Sequence, residues 1–132
     1  MRFKENVLQN KNILIVEDEN IIALDIKNRL NNLGYRVTDI ISNGEVAVNK
    51  IGDICPDLIF MDIRLNGKYD GIETAKRIRA DYKIPVIYLS AYTDDKTLNR
   101  AKKVTNPFFY LQKPFLEDEL KEAVQKALQG GT

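Results

Sequence analysis

Five short apolar runs, separated by longer amphipathic stretches, constrain this chain more than any other feature. The runs are Ile13-Leu14-Ile15-Val16, the weaker Tyr35 to Ile41, Leu58-Ile59-Phe60-Met61, Val86-Ile87-Tyr88-Leu89 and Phe108 to Leu111. They are nearly continuous and rich in β-branched and aromatic residues, the pattern of strands covered on both faces, as in a parallel sheet. Between them apolar residues fall at helical spacing: Ile22, Ile26, Leu30 and Leu33; Ile72, Ala75, Ile78 and Tyr82; Leu120, Val124 and Leu128. Helix starts are marked as well. Ser42-Asn43-Gly44-Glu45 and Asp70-Gly71-Ile72-Glu73 each set a capping oxygen (Ser42, Asp70) three residues before a glutamate, as in a capping box. Thr93 precedes Asp94 and Asp95, whose charges suit the positive end of a helix. Alternating strand and helix with right-handed crossovers predicts an α/β fold, a doubly wound (βα)5 sheet of five parallel strands.

A length of 132 residues suits one domain, and no linker, repeat or low-complexity tract divides it. The expected boundaries are an N-terminal extension over 1–10, the domain over 11–129 and a short tail over 130–132. Twenty Lys and Arg against nineteen Asp and Glu leave a net charge of +1, so no global field draws nucleic acid or an anionic membrane. Apolar runs of four or five residues are too short to span a bilayer, and the N-terminus lacks the apolar stretch of a signal peptide. One cysteine, Cys55, makes no internal disulfide, which fits a reducing cytoplasm. With no histidine, the chain cannot by itself assemble a Ser-His-Asp or Cys-His nucleophile or a His-containing zinc site. Neither G-x-G-x-x-G nor G-x-x-x-x-G-K-[ST] occurs. The available chemistry rests on carboxylates, hydroxyls and lysines.

Those groups follow the strands. Glu17-Asp18 comes after the first, Asp62 after the third, Ser90 after the fourth and Lys113 after the fifth. Parallel strands point one way, so all of them meet at the C-terminal edge of the sheet, where open α/β sheets bind ligands. Two carboxylates about 4 Å apart repel by about 4 kcal/mol at an effective dielectric near 20. Three facing one lysine call for a bound cation, and Mg²⁺ suits carboxylates, waters and a phosphate oxygen. An aspartate in that setting can attack phosphorus and hold the group as an acyl phosphate, with metal and lysine neutralising charge.

On these residues the chain resembles the receiver (phosphoacceptor) domain of two-component response regulators. The matching segments are Ile13-Leu14-Ile15-Val16-Glu17-Asp18-Glu19, Ile59-Phe60-Met61-Asp62-Ile63, Leu89-Ser90-Ala91-Tyr92 and Tyr110-Leu111-Gln112-Lys113-Pro114-Phe115. The resemblance runs from about Lys11 to Leu128 and implies a flavodoxin-like strand order 2-1-3-4-5. It implies that Asp62 accepts a phosphoryl group from the phosphohistidine of a sensor histidine kinase or a phosphotransfer protein. Asp18, Asp62 and the backbone carbonyl of Arg64 would bind Mg²⁺, with Glu17 acting through a water. Ser90 and Lys113 would contact the phosphoryl group, and Tyr110 would change rotamer with Ser90. Arg64 and Tyr92 stand where the family tunes phosphoryl lifetime. A cis peptide is implied between Lys113 and Pro114. Phe109 departs from the small residue often found before the switch aromatic.

The resemblance also implies a signalling domain rather than an enzyme, with at most self-catalysed phosphotransfer and slow autodephosphorylation. Its docking surface would be the fourth helix, fifth strand and fifth helix, about 94–128, facing a downstream partner or a second copy. Other readings fit less well. A haloacid-dehalogenase-like phosphatase carries Asp-x-Asp after its first strand, where this chain has Glu17-Asp18-Glu19. A flavin carrier needs phosphate-binding donors there, which the same carboxylates would repel. For single residues the bland reading stands beside the functional one: Ser90 as a loop hydroxyl, Tyr110 as packing, and Arg100, Lys102 and Lys103 as a solvated helix face. The kinase, the signal, the output and any larger protein around this domain are not written in these residues.

Overall fold

β1 (Asn12–Val16) and β3 (Leu58–Asp62) form the centre of the sheet, and their apolar residues have no exposed surface, which is why these runs show no polar alternation. The computed structural model describes residues 11–91 and 93–130. β2 (Arg36–Ile41), β4 (Val86–Ser90) and β5 (Phe109–Gln112) complete a sheet of five parallel strands in the order β2-β1-β3-β4-β5. Fold class and strand order are those expected. The weakest run, β2, is an edge strand with mostly exposed or half-buried residues and a register shift against β1 between Ile13 and Leu14.

Five helices cover the two faces: α1 (Asn20–Asn32), α2 (Gly44–Ile54), α3 (Gly71–Arg79), α4 (Asp95–Val104) and α5 (Glu117–Gly130). Period-two alternation sorts the strands into two cores. Ile13, Ile15, Phe60, Ile87 and Leu89 pack with Ile26 and Leu30 of α1 and Leu120 and Val124 of α5. Leu14, Val16, Met61, Val86 and Tyr88 pack with Ile51 of α2, Ile72 and Ile78 of α3 and Ala101 of α4. Among the described residues no helix is long and apolar enough to cross a membrane.

The caps correct three local expectations. α2 starts one residue later than Ser42 implied, because Asn43 is the cap and its side chain accepts from the Val46 N–H at 2.8 Å. α4 is capped by Asp94, which accepts from the Thr97 N–H, so Thr93 lies outside the helix. Tyr82 lies beyond the end of α3 and is 37% exposed, since the helix closes at Arg79 before the Ile84-Pro85 approach to β4. Asp70 caps α3 as predicted, accepting from the Glu73 N–H at 2.8 Å.

The first residue of α3 matters for the site. A Cβ on Gly71 would fall 2.0 Å from the Asp62 carbonyl oxygen, so only glycine lets this helix seat against the end of β3. Its N–H donates to the Ile63 carbonyl at 2.9 Å, fixing the return of the loop. Gly71→Ala is expected to cost about 2–3 kcal/mol by forcing backbone apart. Urea denaturation with an unchanged m-value checks it; a cost below about 0.5 kcal/mol would mean the loop yields freely.

Candidate phosphoacceptor site

The ladders carry functional groups straight to the sheet edge. The Glu17 N–H donates to the Ile41 carbonyl at 3.0 Å, extending β1 by one residue, and the Lys113 N–H donates to the Ser90 carbonyl at 2.8 Å, extending β5. Asp62 ends β3 and Ser90 ends β4, with Asp62 in register with Leu89, the residue before Ser90. Glu17, Asp62 and Ser90 are all buried.

Carboxylate oxygens of Glu17, Asp18 and Asp62 lie within 4.8 Å of one another. Lys113 Nζ is 2.8 Å from Glu17 Oε1 and 3.9 Å from Asp62 Oδ1. Backbone donors orient the rest: the Arg64 N–H to Asp62 Oδ1 at 3.0 Å, the Asn66 N–H to Asp18 Oδ2 at 3.0 Å, and the Glu19 N–H to Glu17 Oε2 at 3.1 Å. Burial, then a hydrogen bond and repulsion from Glu17, push the Asp62 carboxyl up to about 7, against the pull of Lys113 and the Arg64 N–H. One ammonium does not balance three carboxylates, and an all-oxygen cluster of this size fits a hard divalent cation.

Ser90 sits at this edge with the carboxylates. Tyr110 is farther back on β5, half-buried, its hydroxyl donating to Thr93 Oγ1 at 3.2 Å and its ring stacked on Phe108 at 6.3 Å. Phe109 points to the opposite face, toward the α1–α5 core, so its bulk is not beside Tyr110; Phe108 is the neighbour on that face. Tyr92 lies outside the described residues, as do the 1–10 extension and residues 131–132. Lys113–Pro114 is a cis peptide bond, as the resemblance implied.

Arg100 is exposed, as expected of a solvated helix face, and it also has a partner. Its guanidinium forks onto Asp70, Nη1 to Oδ2 at 2.8 Å and Nη2 to Oδ1 at 3.1 Å, tying α4 to the cap of α3. Burial works against the Asp70 charge, but the Arg100 fork and the first N–H groups of α3 hold its carboxyl below the usual range. The contacts of Thr93, Asn66 and Arg100 are not visible in the sequence because each partner lies elsewhere along the chain.

Comparison with known proteins gives the same answer as the geometry. Residues 13–125 match the family model described as the response regulator receiver domain. The chain belongs to that family. It is 34% identical to sporulation initiation phosphotransferase F of Bacillus subtilis, over 92% of this chain and 96% of that protein. The signal receiver domain of a modulated diguanylate cyclase from Desulfovibrio desulfuricans G20 superposes with a TM-score of 0.85 at 40% identity, covering 92% of this chain and 95% of that one. The receiver domain of sensor histidine kinase PA1611 from Pseudomonas aeruginosa PAO1, solved with a magnesium ion in its active site cleft, superposes with a TM-score of 0.79 at 32% identity over 90% and 98%. Other relatives are longer: the chain spans 25% of regulatory protein AtoC of Escherichia coli, at 37% identity over 89% of this chain. Receiver domains are phosphorylation switches of two-component signalling that bind Mg²⁺ at an acidic pocket and interact with histidine kinases or phosphotransfer proteins.

Three outcomes test the electrostatics. The Asp62 pKa is raised in the fold, from 3.8 to about 7, so the metal-free native state keeps a proton that the unfolded chain gives up. Stability contributed by that proton is full below about pH 4 and is lost as pH rises toward about 7. Asp62→Asn is expected to flatten this fall and raise metal-free stability above pH 7 by about 1–3 kcal/mol, read from urea melts across pH. Asp70→Ala, which removes a cap and an ion-pair partner, should cost about 1–2 kcal/mol. Arg100→Met, which breaks only a half-exposed pair, should cost under about 1 kcal/mol.

Proposed function

We propose that Asp62 takes a phosphoryl group from the phosphohistidine of a sensor histidine kinase or phosphotransfer protein, and that this chain thereby switches a docking surface. The observation that carries the reading is the meeting of Glu17, Asp18 and Asp62 with one lysine at the C-terminal sheet edge. A carboxylate oxygen of Asp62 attacks phosphorus in line, the P–N bond to the donor imidazole breaks, and its electron pair leaves with the ring. Asp18, Asp62 and the Arg64 carbonyl would hold Mg²⁺, with Glu17 acting through a water. Bound there, the ion supplies the positive charge that keeps Asp62 ionised and offsets the phosphoryl oxygens.

Lys113, already between Glu17 and Asp62, turns to a phosphoryl oxygen, and the Ser90 hydroxyl donates to another. Replacing a carboxylate of charge −1 by an acyl phosphate near −2 is the local event that draws both inward. Tyr110 follows Ser90, exchanging its bond to Thr93 and so moving the start of α4. Arg64 and Tyr92 set phosphoryl lifetime. The affected surface is about 94–128. There α4 carries Lys96, Arg100, Lys102 and Lys103 while α5 carries Glu117, Asp118, Glu119 and Glu122, a pairing of signs that suits two copies related by a twofold axis or a downstream protein. The chain works as a cytoplasmic domain over 11–129, flanked by a 1–10 extension and a 130–132 tail, and turns over only its own phosphoryl group.

Incubation with Mg²⁺ and a small-molecule phosphodonor, followed by intact mass, is the direct test. One phosphoryl group should add to the wild-type protein and none to Asp62→Asn. Equal incorporation in both would remove Asp62 as the acceptor. No incorporation from either the small donor or a phosphorylated kinase, with Mg²⁺ bound, would end the phosphotransfer reading.

A further inference from the structure

The lysine of the site stands on a short connection, Lys113 to Leu116, between β5 and α5. One end is pinned by the Lys113 N–H on the Ser90 carbonyl at 2.8 Å, the other by the Leu116 N–H on Glu119 Oε1 at 2.8 Å. Between those anchors the connection borders an open groove of about 350 Å³ facing α1, lined by Ile22, Ile26, Arg29, Ala91 and Pro114 among others. Arg29, in the last turn of α1, reaches across. Its Nη1 donates to the Phe115 carbonyl at 2.9 Å, from 86 residues away in sequence. Its guanidinium also lies 5.3 Å from the centre of the Phe115 ring, and its Nε sits 3.2 Å from Asp25 Oδ2, which steadies the arm from below.

We infer that Arg29 is a positioning residue for Lys113: by holding the carbonyl and ring of Phe115 it fixes the connection from which the ammonium reaches Glu17 and Asp62. The physical case rests on geometry. A lysine has a long, freely rotating stem, so where its ammonium settles depends on where its Cα is held. The fork of an arginine grips a carbonyl and an aromatic face together, which an ammonium does poorly. The Phe115 ring is itself buried in the α1–α5 core, so backbone and ring are held by the same group against the same helix. Ion pairing with Asp25 one turn earlier is the bland role for Arg29, yet that pair alone would not direct a second donor at a backbone carbonyl across the groove. Small displacements of a charge meant for a transferring phosphoryl group are costly in rate, up to about a hundredfold per ångström.

This inference rests on the role proposed for Lys113, and its test separates the two. Phosphorylation rates are measured with an acyl phosphate donor, which has no protein surface to dock, at saturating Mg²⁺. Mg²⁺ affinity is followed by calorimetry, and every variant is checked for folding at the assay temperature. Arg29→Met is expected to slow incorporation about tenfold with Mg²⁺ affinity within about twofold of wild type, and Arg29→Lys to fall between them. In a Lys113→Met background, Arg29→Met should add little further loss. If Arg29→Met fails to fold, Arg29→Lys carries the comparison. Arg29 variants at the wild-type rate beside a slow Lys113→Met would overturn the inference alone. The same fold loss in both backgrounds would also overturn it, since Arg29 would then act through something other than Lys113. A Lys113→Met variant at the wild-type rate, or a wild-type protein that takes up no phosphoryl group, would overturn the reading and the inference together.

Discussion

Everything at the functional edge is organised by an electrostatic mismatch. Three carboxylates converge on one ammonium, and two of them, Glu17 and Asp62, have almost no contact with water. A fold selected only for stability would not gather them, because desolvated like charges cost more than one partner returns. The protein tolerates the arrangement by raising the Asp62 carboxyl, chiefly through burial, and by aiming the N–H groups of Glu19, Arg64 and Asn66 at the three carboxyl groups. What remains uncompensated is a site that favours added positive charge.

Much of the surrounding structure serves to keep that mismatch in place. β1 and β3 are adjacent parallel strands, so their last residues arrive side by side. The loop after β3 turns back at once because Gly71 lets α3 press against the Asp62 carbonyl, and Asp70, one residue earlier, both caps α3 and receives Arg100 from α4. The Asp62 backbone is thus connected to α4 through three consecutive contacts. A separate connection runs from Tyr110 to Thr93 at the foot of the same helix. α4 is therefore held at two points, one tied to the loop after β3 and one to β5.

The fold was legible because its strands are short, nearly pure in apolar residues and evenly separated by helical stripes; even the weak β2 run was placed, being flanked by clear elements. Glu17, Asp18, Asp62, Ser90 and Lys113 were legible for a topological reason, since the residue after a parallel strand has only one edge to reach. Cap positions were read less well. Ser42, Asn43 and Asp70 all offer oxygen, and only backbone dihedrals decide which becomes the cap. The contacts of Arg29, Arg100 and Thr93 were not legible. Their partners lie at Phe115, Asp70 and Tyr110, and no periodic pattern connects an arginine on a helix face to a group dozens of residues away.

The sheet divides the interior into two cores that share backbone but few side chains, one under α1 and α5, the other under α2, α3 and α4. A substitution that enlarges one core presses first on that core's own side chains. The two flanks of the molecule are thus free to diverge at different rates, like two pages printed on one sheet. Changes can accumulate around α1 without retuning α4, although both helices depend on the same few polar residues along the edge.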